Sequence, residues 1–513
     1  MKKKIVFITF YDTICYGTRL LSSLATGNGL ESYLVMMKKE IQNVPIFSKK
    51  DEYQSYQYFY NGLLRGSQFA VGPISKTEED QLLCILENIA PSIICLSTRS
   101  FAYDICKRLF PKIKKKFSKV PIVAGGWGPT LEPEKFLEFS DFVCFGEGEK
   151  AIVGICEALK EGKSLEDIPN LIYRKNNQLI RNKVKYAISV EELNKLPFPD
   201  FSVDRKYLIT NNKLHIGKTF YNTKVYDCFA TRGCPLNCTY CLSSKYSIIY
   251  KKYSGKTCPK IRLRDINVVL EEIRLAKARG AKLIRIKDEV FPFNSKWVKE
   301  FIVRYPKEIG LPFFAYLRPE FHDVDTIRGL KEAGLFITMV GIQSGSKQIR
   351  KEVYKRKLPK NKIVDFAKAL YKLNIQYTYH FIYRNPFERE NHLEESLDFT
   401  YRLPYSSSII YKLEPFSGSP IKNMIDLARP TPIPNDTADW YAILHCMSLE
   451  NALLRKLSKL IRKYKLFKRV PIVLSIFFLP SLIKEGVDLI KNTHLLNASI
   501  SYFSFEHKER LAE

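Results

Sequence analysis

YDCFATRGCPLNCTYC, residues 226 to 241, runs from an apolar strand into a loop that sets Cys234, Cys238 and Cys241 within eight positions. Gly233, Pro235 and Asn237 stand among the thiols and are the residue types of a tight turn. Three thiols do not all pair as disulfides, and neither a structural zinc nor a complete iron–sulfur cluster is satisfied by three. Three thiolates on a 4Fe–4S cluster leave one iron with an open coordination position. An open position is what a metal centre needs to bind a substrate or cofactor rather than only shape the fold. The alternative is a zinc knuckle completed by Cys228 or Cys258, neither of which has tight CxxC-type spacing to the triad.

Working outward, the chain after residue 222 alternates strand and helix signals. DINVVLEEIRLAKARG (265–280) has an N-cap aspartate and a terminal glycine, and KLIRIKD (282–288) follows as a strand. FITMVGI (336–342), IQYTYHFIY (375–383) and SSIIYKLEP (407–415) are further strands, each preceded by an amphipathic pattern. Repeated β/α units predict a partial or full TIM-type barrel over 222–425, with the cysteine loop at its C-terminal mouth, where such barrels build their sites.

Ahead of it, KIVFITF (4–10), SIICLST (92–98), PIVAGG (121–126) and DFVCFG (141–146) each precede a helical pattern. Short buried runs alternating with helices predict a doubly wound α/β domain over 1–175, with parallel strands. A polar, tyrosine-rich insertion spans about 41–82, residues 176–221 read as a linker with one hairpin, and 426–513 as a helical C-terminal region.

The twelve cysteines sit mostly in apolar runs without an even framework, which suits a reducing cytoplasm. No run reaches the roughly 18 apolar residues of a membrane span. VPIVLSIFFLPSLI (470–483) stops at 14 and contains two prolines. The formal charge of +29 reflects either a lysine-rich solvated surface or an anionic partner: a phosphorylated substrate, a membrane face or RNA. Residues 451–484 hold nine Lys/Arg and no Asp/Glu, with Leu453, Leu457, Ile461, Tyr464 and Phe467 at helical spacing. Such a helix either packs on the barrel or lies on an anionic membrane, a peripheral contact with the inner face.

CxxxCxxC with Tyr240 before the third cysteine, on a first strand-to-helix loop, resembles the radical S-adenosylmethionine superfamily. The resemblance implies a 4Fe–4S cluster on Cys234, Cys238 and Cys241, whose open iron chelates the amino and carboxylate groups of S-adenosylmethionine. One-electron reduction, by a donor such as flavodoxin or ferredoxin, then yields methionine and a 5′-deoxyadenosyl radical. The likeness extends over about 200 residues. IKDEVFPFN resembles a second-strand segment, which sets Asp288 and Glu289 near the methionyl amino group; AYLRPE sets Arg318 toward the methionyl carboxylate. Two carboxylates that cap the next helix, and a surface arginine, are the plainer readings of those segments. VGIQSGS resembles a strand usually written with glutamate where Gln343 stands, which leaves ribose hydrogen bonding for Gln343 and Ser344. In YHFIYRNPFERE, Asn385 occupies the glycine position of a common turn.

In the front domain, YDTICYG, LSTRS and AGGWGPT follow three strands. They place Asp12, Thr13, Ile14 and Gly17, then Ser97 and Thr98, then Gly125, Gly126 and Trp127 at strand ends, where open α/β sheets bind ligands. In this order they are similar to a cobalamin-binding domain, and the linker motif LPFPDFS fits the subgroup that joins it to a radical barrel. The resemblance implies cobalamin bound base-off without a histidine ligand, because Ile14 stands at the histidine position and residues 1–200 contain no histidine.

The expected function is that of a cobalamin-dependent radical enzyme methylating an unactivated carbon of a small-molecule or lipid-like substrate. In that scheme one S-adenosylmethionine methylates cob(I)alamin, and the adenosyl radical from a second abstracts a substrate hydrogen. The carbon radical then collects the methyl group. A cyclase or rearrangement enzyme is the nearest rival, and a non-catalytic zinc- or nucleic-acid-binding module the rival of another class.

Overall fold

The computed structural model describes residues 2–38, 42–45, 54–61, 66–71, 73–184, 187–217, 224–255, 259–415 and 417–465. The front half is built on a nine-stranded sheet. Its centre is parallel: Glu31–Met37, Lys4–Phe10, Ile93–Ser97, Ile122–Gly125 and Phe142–Cys144 lie side by side in that order. Apolar residues at consecutive positions bury both faces. Ile5 and Phe7 pack with Ile152 and Ile155 of the helix Glu149–Glu161. Val6, Ile8 and Phe10 pack with Leu82, Leu86, Leu109 and Phe110 of Lys76–Ile89 and Tyr103–Lys116 on the other face.

The strand order reverses between Lys4–Phe10 and Ile93–Ser97. At such a switch point the two following loops part and leave a crevice, and Asp12–Gly17 and Ser97–Thr98 flank it.

The segment 176–221, expected as a linker, completes this sheet at both edges. Gln178–Arg181 forms a hairpin with Leu171–Lys175, while Lys206–Thr210 adds parallel to Glu31–Met37 and turns back as Lys213–Ile216. The expected insertion 41–82 also divides. Lys76–Ile89 belongs to the front core, whereas Gln42–Pro45, Gln54–Asn61 and Gly66–Val71 join the second sheet.

That second sheet carries six parallel strands: Val225–Cys228, Leu283–Ile286, Phe313–Ala315, Leu335–Gln343, Gln376–Tyr383 and Ser407–Lys412. Helices Ile266–Ala278, Ser295–Glu308, Val324–Glu332, Lys360–Lys372 and Glu390–Thr400 connect them as the outer layer of a partial barrel. Gln376–Tyr383 alternates strictly: Tyr377, Tyr379, Phe381 and Tyr383 are buried outward, and Thr378, His380 and Ile382 are only half-buried. Half-buried inward positions mean a lumen rather than a filled core. Gln54–Asn61 pairs antiparallel with Ser407–Lys412, so the front domain's insertion extends the barrel sheet.

Pro420–Ala428, Asn435–Glu450 and Ala452–Lys463 follow the barrel. The last of these buries Leu454, Ser458 and Ile461, while Leu453 and Tyr464 are exposed, so the packed face is turned from the one its spacing suggested. The apolar run 470–483, Phe467 and the rest of the tail lie outside the described residues. Among the described residues no helix is long and apolar enough to cross a membrane.

Candidate functional site

The cysteine loop is gripped at both ends. Thr231–Gly233 pairs antiparallel with Ile261–Leu263. Gly233 sits at φ 97°, and a Cβ there would meet the Lys260 carbonyl oxygen at 2.1 Å, so only glycine admits the turn. Further on, Thr239 Oγ1 donates to the Val353 carbonyl at 2.6 Å, and the Tyr240 ring meets Tyr354 edge-on at 5.0 Å.

Cys238 is buried, and Cys234 and Cys241 are half-buried. The three lie close enough that each acts on a neighbour's charge; burial pushes the Cys234 thiol up to about 12, with Glu289 adding to it. Metal must displace those protons, so loading favours the alkaline side. Among the described residues no group of three or more His, Cys, Asp or Glu converges on one metal ion. A cubane presents a different iron to each thiolate, so the triad suits a cluster better than a single zinc. Cys228, the other ligand weighed for zinc, is fully buried in the barrel core, and Cys258 lies outside the described residues.

The structure divides the paired carboxylates expected near the methionyl amino group. Asp288 is buried and accepts from the backbone amides of Ala230 and Thr231 and from the Thr231 hydroxyl. It therefore ties the second strand end to the cysteine loop; burial raises its carboxyl to about 7 against those hydrogen bonds. Glu289 is exposed and accepts from Ser243 Oγ at 2.8 Å, just beyond the third cysteine.

Arg318 lies beside the loop, where its charge acts on Cys234 and Tyr240. Its Nη1 is buried without a hydrogen-bond partner. A Cβ on Gly341 would stand 3.0 Å from that nitrogen and 2.5 Å from Gln343 Nε2, so the bare strand leaves both polar groups their space.

Gln343 is at φ 66° where the ladder slips, and its side-chain oxygen accepts from Arg356. Arg356 also donates to the Gly341 carbonyl at 2.6 Å and to Glu320 at 2.5 Å. Sequence reading missed Arg356: it lies 13 residues beyond Gln343, past an irregular helical turn (Ile349–Val353) that no local pattern announces. Ser344 is buried, contacts Glu388 Oε1 at 3.4 Å and caps the amide of Ser346 at 3.2 Å, so its hydroxyl serves the turn. Glu388, also missed, is fully buried; that burial raises its carboxyl to about 8.

In the front domain, Asp12 Oδ1 accepts from the Cys15 amide at 2.7 Å and closes the first loop. The buried Arg19 holds that loop from behind, donating to the carbonyls of Ile14 at 3.0 Å, Thr13 at 3.1 Å and Asp200 at 3.0 Å. LPFPDFS thus clamps the loop through Arg19, whose guanidinium also stacks on Phe201 at 4.9 Å. Ile14 packs against the barrel core. Gly17 is exposed, and a Cβ there would meet nothing within 4 Å.

The Thr98 amide donates to the Gly125 carbonyl at 3.0 Å, joining the Ser97–Thr98 and glycine loops. Gly126 is at φ 101°, and a Cβ would stand 2.5 Å from the Thr98 oxygen. At Gly125 a Cβ would make ordinary contacts only.

The two halves meet at these loops. Trp127 contacts the Tyr246 ring at 5.9 Å, and the Glu147 amide donates to Tyr250 OH at 2.7 Å. Glu147 and Glu149 pair with Arg232 at 3.2 and 2.6 Å, and Arg262 adds a second contact to Glu147 at 2.7 Å. The loop after Phe142–Cys144 and the cysteine loop therefore face one another across a charged junction.

The radical SAM superfamily model matches residues 229–400, and the B12-binding domain model matches 63–155. An uncharacterised methyltransferase of Pyrococcus horikoshii is 24% identical over 385 residues, 74% of this chain and 79% of that one. The bacteriochlorophyllide d C-12(1)-methyltransferase of Chlorobaculum tepidum is 22% identical over 342 residues, 66% of each chain. The structure of the radical S-adenosylmethionine methyltransferase TsrM from Kitasatospora setae, with cobalamin and a 4Fe–4S cluster bound, superposes with TM-score 0.60 at 14% identity. The match covers 83% of this chain and 75% of that one.

Proposed function

This chain is a radical S-adenosylmethionine superfamily enzyme with a B12-binding domain ahead of its barrel, and from that premise we propose that it methylates an unactivated carbon of a small organic substrate. The observation that carries the proposal is the facing of the two loops: Arg232, two residues before Cys234, is paired with Glu147 and Glu149 beyond the last parallel strand of the front sheet. A methyl carrier bound at the switch-point crevice then opens toward the barrel mouth.

The residues present fit the implied groups. Cys234, Cys238 and Cys241 would hold the cluster, and the unpartnered Arg318 Nη1 would take the methionyl carboxylate. Gly17, Ser97, Thr98, Gly125, Gly126 and Trp127 would line the cobalamin face. When bound, these groups supply one-electron cleavage of S-adenosylmethionine and a transferable methyl.

The chain's own contribution is placement. Asp288 and the Thr231–Gly233 pairing set the cysteine loop, Arg356 fixes Gln343, and Trp127 meets Tyr246 across the junction. Ile14 would offer a bound cobalamin no nitrogen donor, because it is aliphatic and packed on the barrel core. Neighbouring Cys15 is no substitute, since burial pushes its thiol up to about 12.

Reaction with S-adenosylmethionine carrying a trideuterated methyl tests the activity. Product heavier by that methyl supports transfer; deoxyadenosine formation with an unlabelled, isomerised product would show a cyclase or rearrangement enzyme instead. Electron paramagnetic resonance of the Co(II) form tests the lower face. Threefold nitrogen splitting would mean a bound base and overturn the role given to Ile14.

A further inference from the structure

The lumen of the barrel holds cationic and polar groups that the methyl-transfer reading does not use. Lys287 follows the strand Leu283–Ile286. Its Nζ lies 3.5 Å from Tyr316 OH and over the rings of Tyr316 and Phe314 at 5.5 and 6.0 Å. It makes no ion pair among the described residues. His380 points inward from Gln376–Tyr383, meets the Tyr411 ring edge-on at 5.3 Å, and its Nε2 is buried without a hydrogen-bond partner. Burial, then the charges of Arg318 and Lys287, push the imidazole down to about 3, so it is neutral there.

Two cations, Arg318 and Lys287, therefore act on one uncharged histidine beside the rings of Tyr316, Phe314 and Tyr411. Asp227 is already paired with Arg285 at 2.5 Å, and the exposed Glu289 is engaged by Ser243. The proposed site for S-adenosylmethionine brings one carboxylate for Arg318. Lys287 is left with two aromatic faces and one long hydrogen bond to Tyr316 OH, which offset only part of the cost of removing an ammonium from water.

We propose that Lys287, His380 and Tyr411 form a subsite for an anionic group on the substrate, a carboxylate or phosphate ester carried on an apolar body. The neutral His380 donates one hydrogen bond, the Tyr411 ring walls the site beside it, and Lys287 supplies the charge. The proposal rests on the methyl-transfer reading for what the bound molecule is, but its binding test needs no turnover.

Cluster-reconstituted full-length protein is titrated calorimetrically with butyrate, butyl phosphate and uncharged butanol, with and without saturating S-adenosylmethionine. At least one anion binds in the presence of S-adenosylmethionine; Lys287→Met weakens it tenfold or more, and Lys287→Arg restores most of the loss. Butanol binding is unchanged by either substitution. Iron content and circular dichroism of Lys287→Met match the parent protein. Equal anion affinity in Lys287→Met, no binding of either anion, or competition by S-adenosylmethionine would each overturn the subsite, the last by assigning it to the methionyl carboxylate. Anion binding that depends on Lys287 beside a failed label-transfer experiment would instead remove methyl transfer and leave the subsite standing.

Discussion

Arg232 donates from Nη2 to Glu149 Oε1 at 2.6 Å, so an arginine two residues ahead of Cys234 is held by the first turn of a front-domain helix. Glu149 is 8% exposed and Arg232 23%. Removing one partner of a fully buried pair costs about 3–5 kcal/mol, because the other charge is left unpaired. Arg232 retains some solvent, so Glu149→Gln is expected to destabilise by about 2 kcal/mol, less than that range. Urea unfolding followed by fluorescence checks this, and an unchanged midpoint would show the junction to be ornamental.

Cys238→Ala should leave the barrel folded and abolish the cluster. Alanine is small and apolar, which the buried position tolerates, whereas two thiolates fall below what the cluster requires. Iron and sulfide per chain after reconstitution should drop to background, with the far-ultraviolet circular dichroism unaltered. Parent-like visible absorption in the variant would move the cluster to other ligands.

Gly126→Ala tests the glycine loop. A side chain there meets the Thr98 oxygen at 2.5 Å and must adopt φ 101°. Such strain costs about 1–3 kcal/mol, and relieving it means moving the loop proposed to approach cobalamin. A lower melting temperature together with loss of cobalamin on gel filtration is expected. Gly125→Ala, where contacts are ordinary, should change stability far less.

Glu388 gives a pH signature. Its carboxyl is raised from 4.5 to about 8 by burial, so the folded chain keeps a proton that the unfolded chain has already lost. The unfolded state then binds fewer protons between those values, and stability falls as pH rises through that window. The loss reaches a few kcal/mol, on the order of 1.4 kcal/mol per pH unit across it. Glu388→Gln, which cannot ionise, should flatten the slope between pH 5 and 8 in thermal or urea unfolding, as the linkage relation requires. A slope equal to the parent's would assign the titration elsewhere.

What could be read along the chain was local. The cysteine spacing, the Gly233 turn, the alternation of buried strands with capped helices and the paired glycines at 125 and 126 all lie within a few residues, where backbone sterics and periodicity act. They were enough for the α/β class, the barrel and the cluster loop.

What only the tertiary structure decided was pairing at a distance. Lys206–Thr210 looked like linker because an edge strand needs only a partner, and its partner lies about 170 residues earlier. Gln54–Asn61 finds its partner in Ser407–Lys412, beyond the whole barrel. Asp288 reads from sequence as one half of an acidic pair, yet burial beside the amides of Ala230 and Thr231 commits it to the loop and leaves Glu289 at the surface. Lys287 and His380 lie inside IKDEVFPFN and YHFIYRNPFERE with nothing local to single them out, Arg356 lies outside both, and only folding sets the neighbours of all three. A hydrogen bond or a field depends on separation in space, and sequence spacing reports that separation only within a turn or a strand.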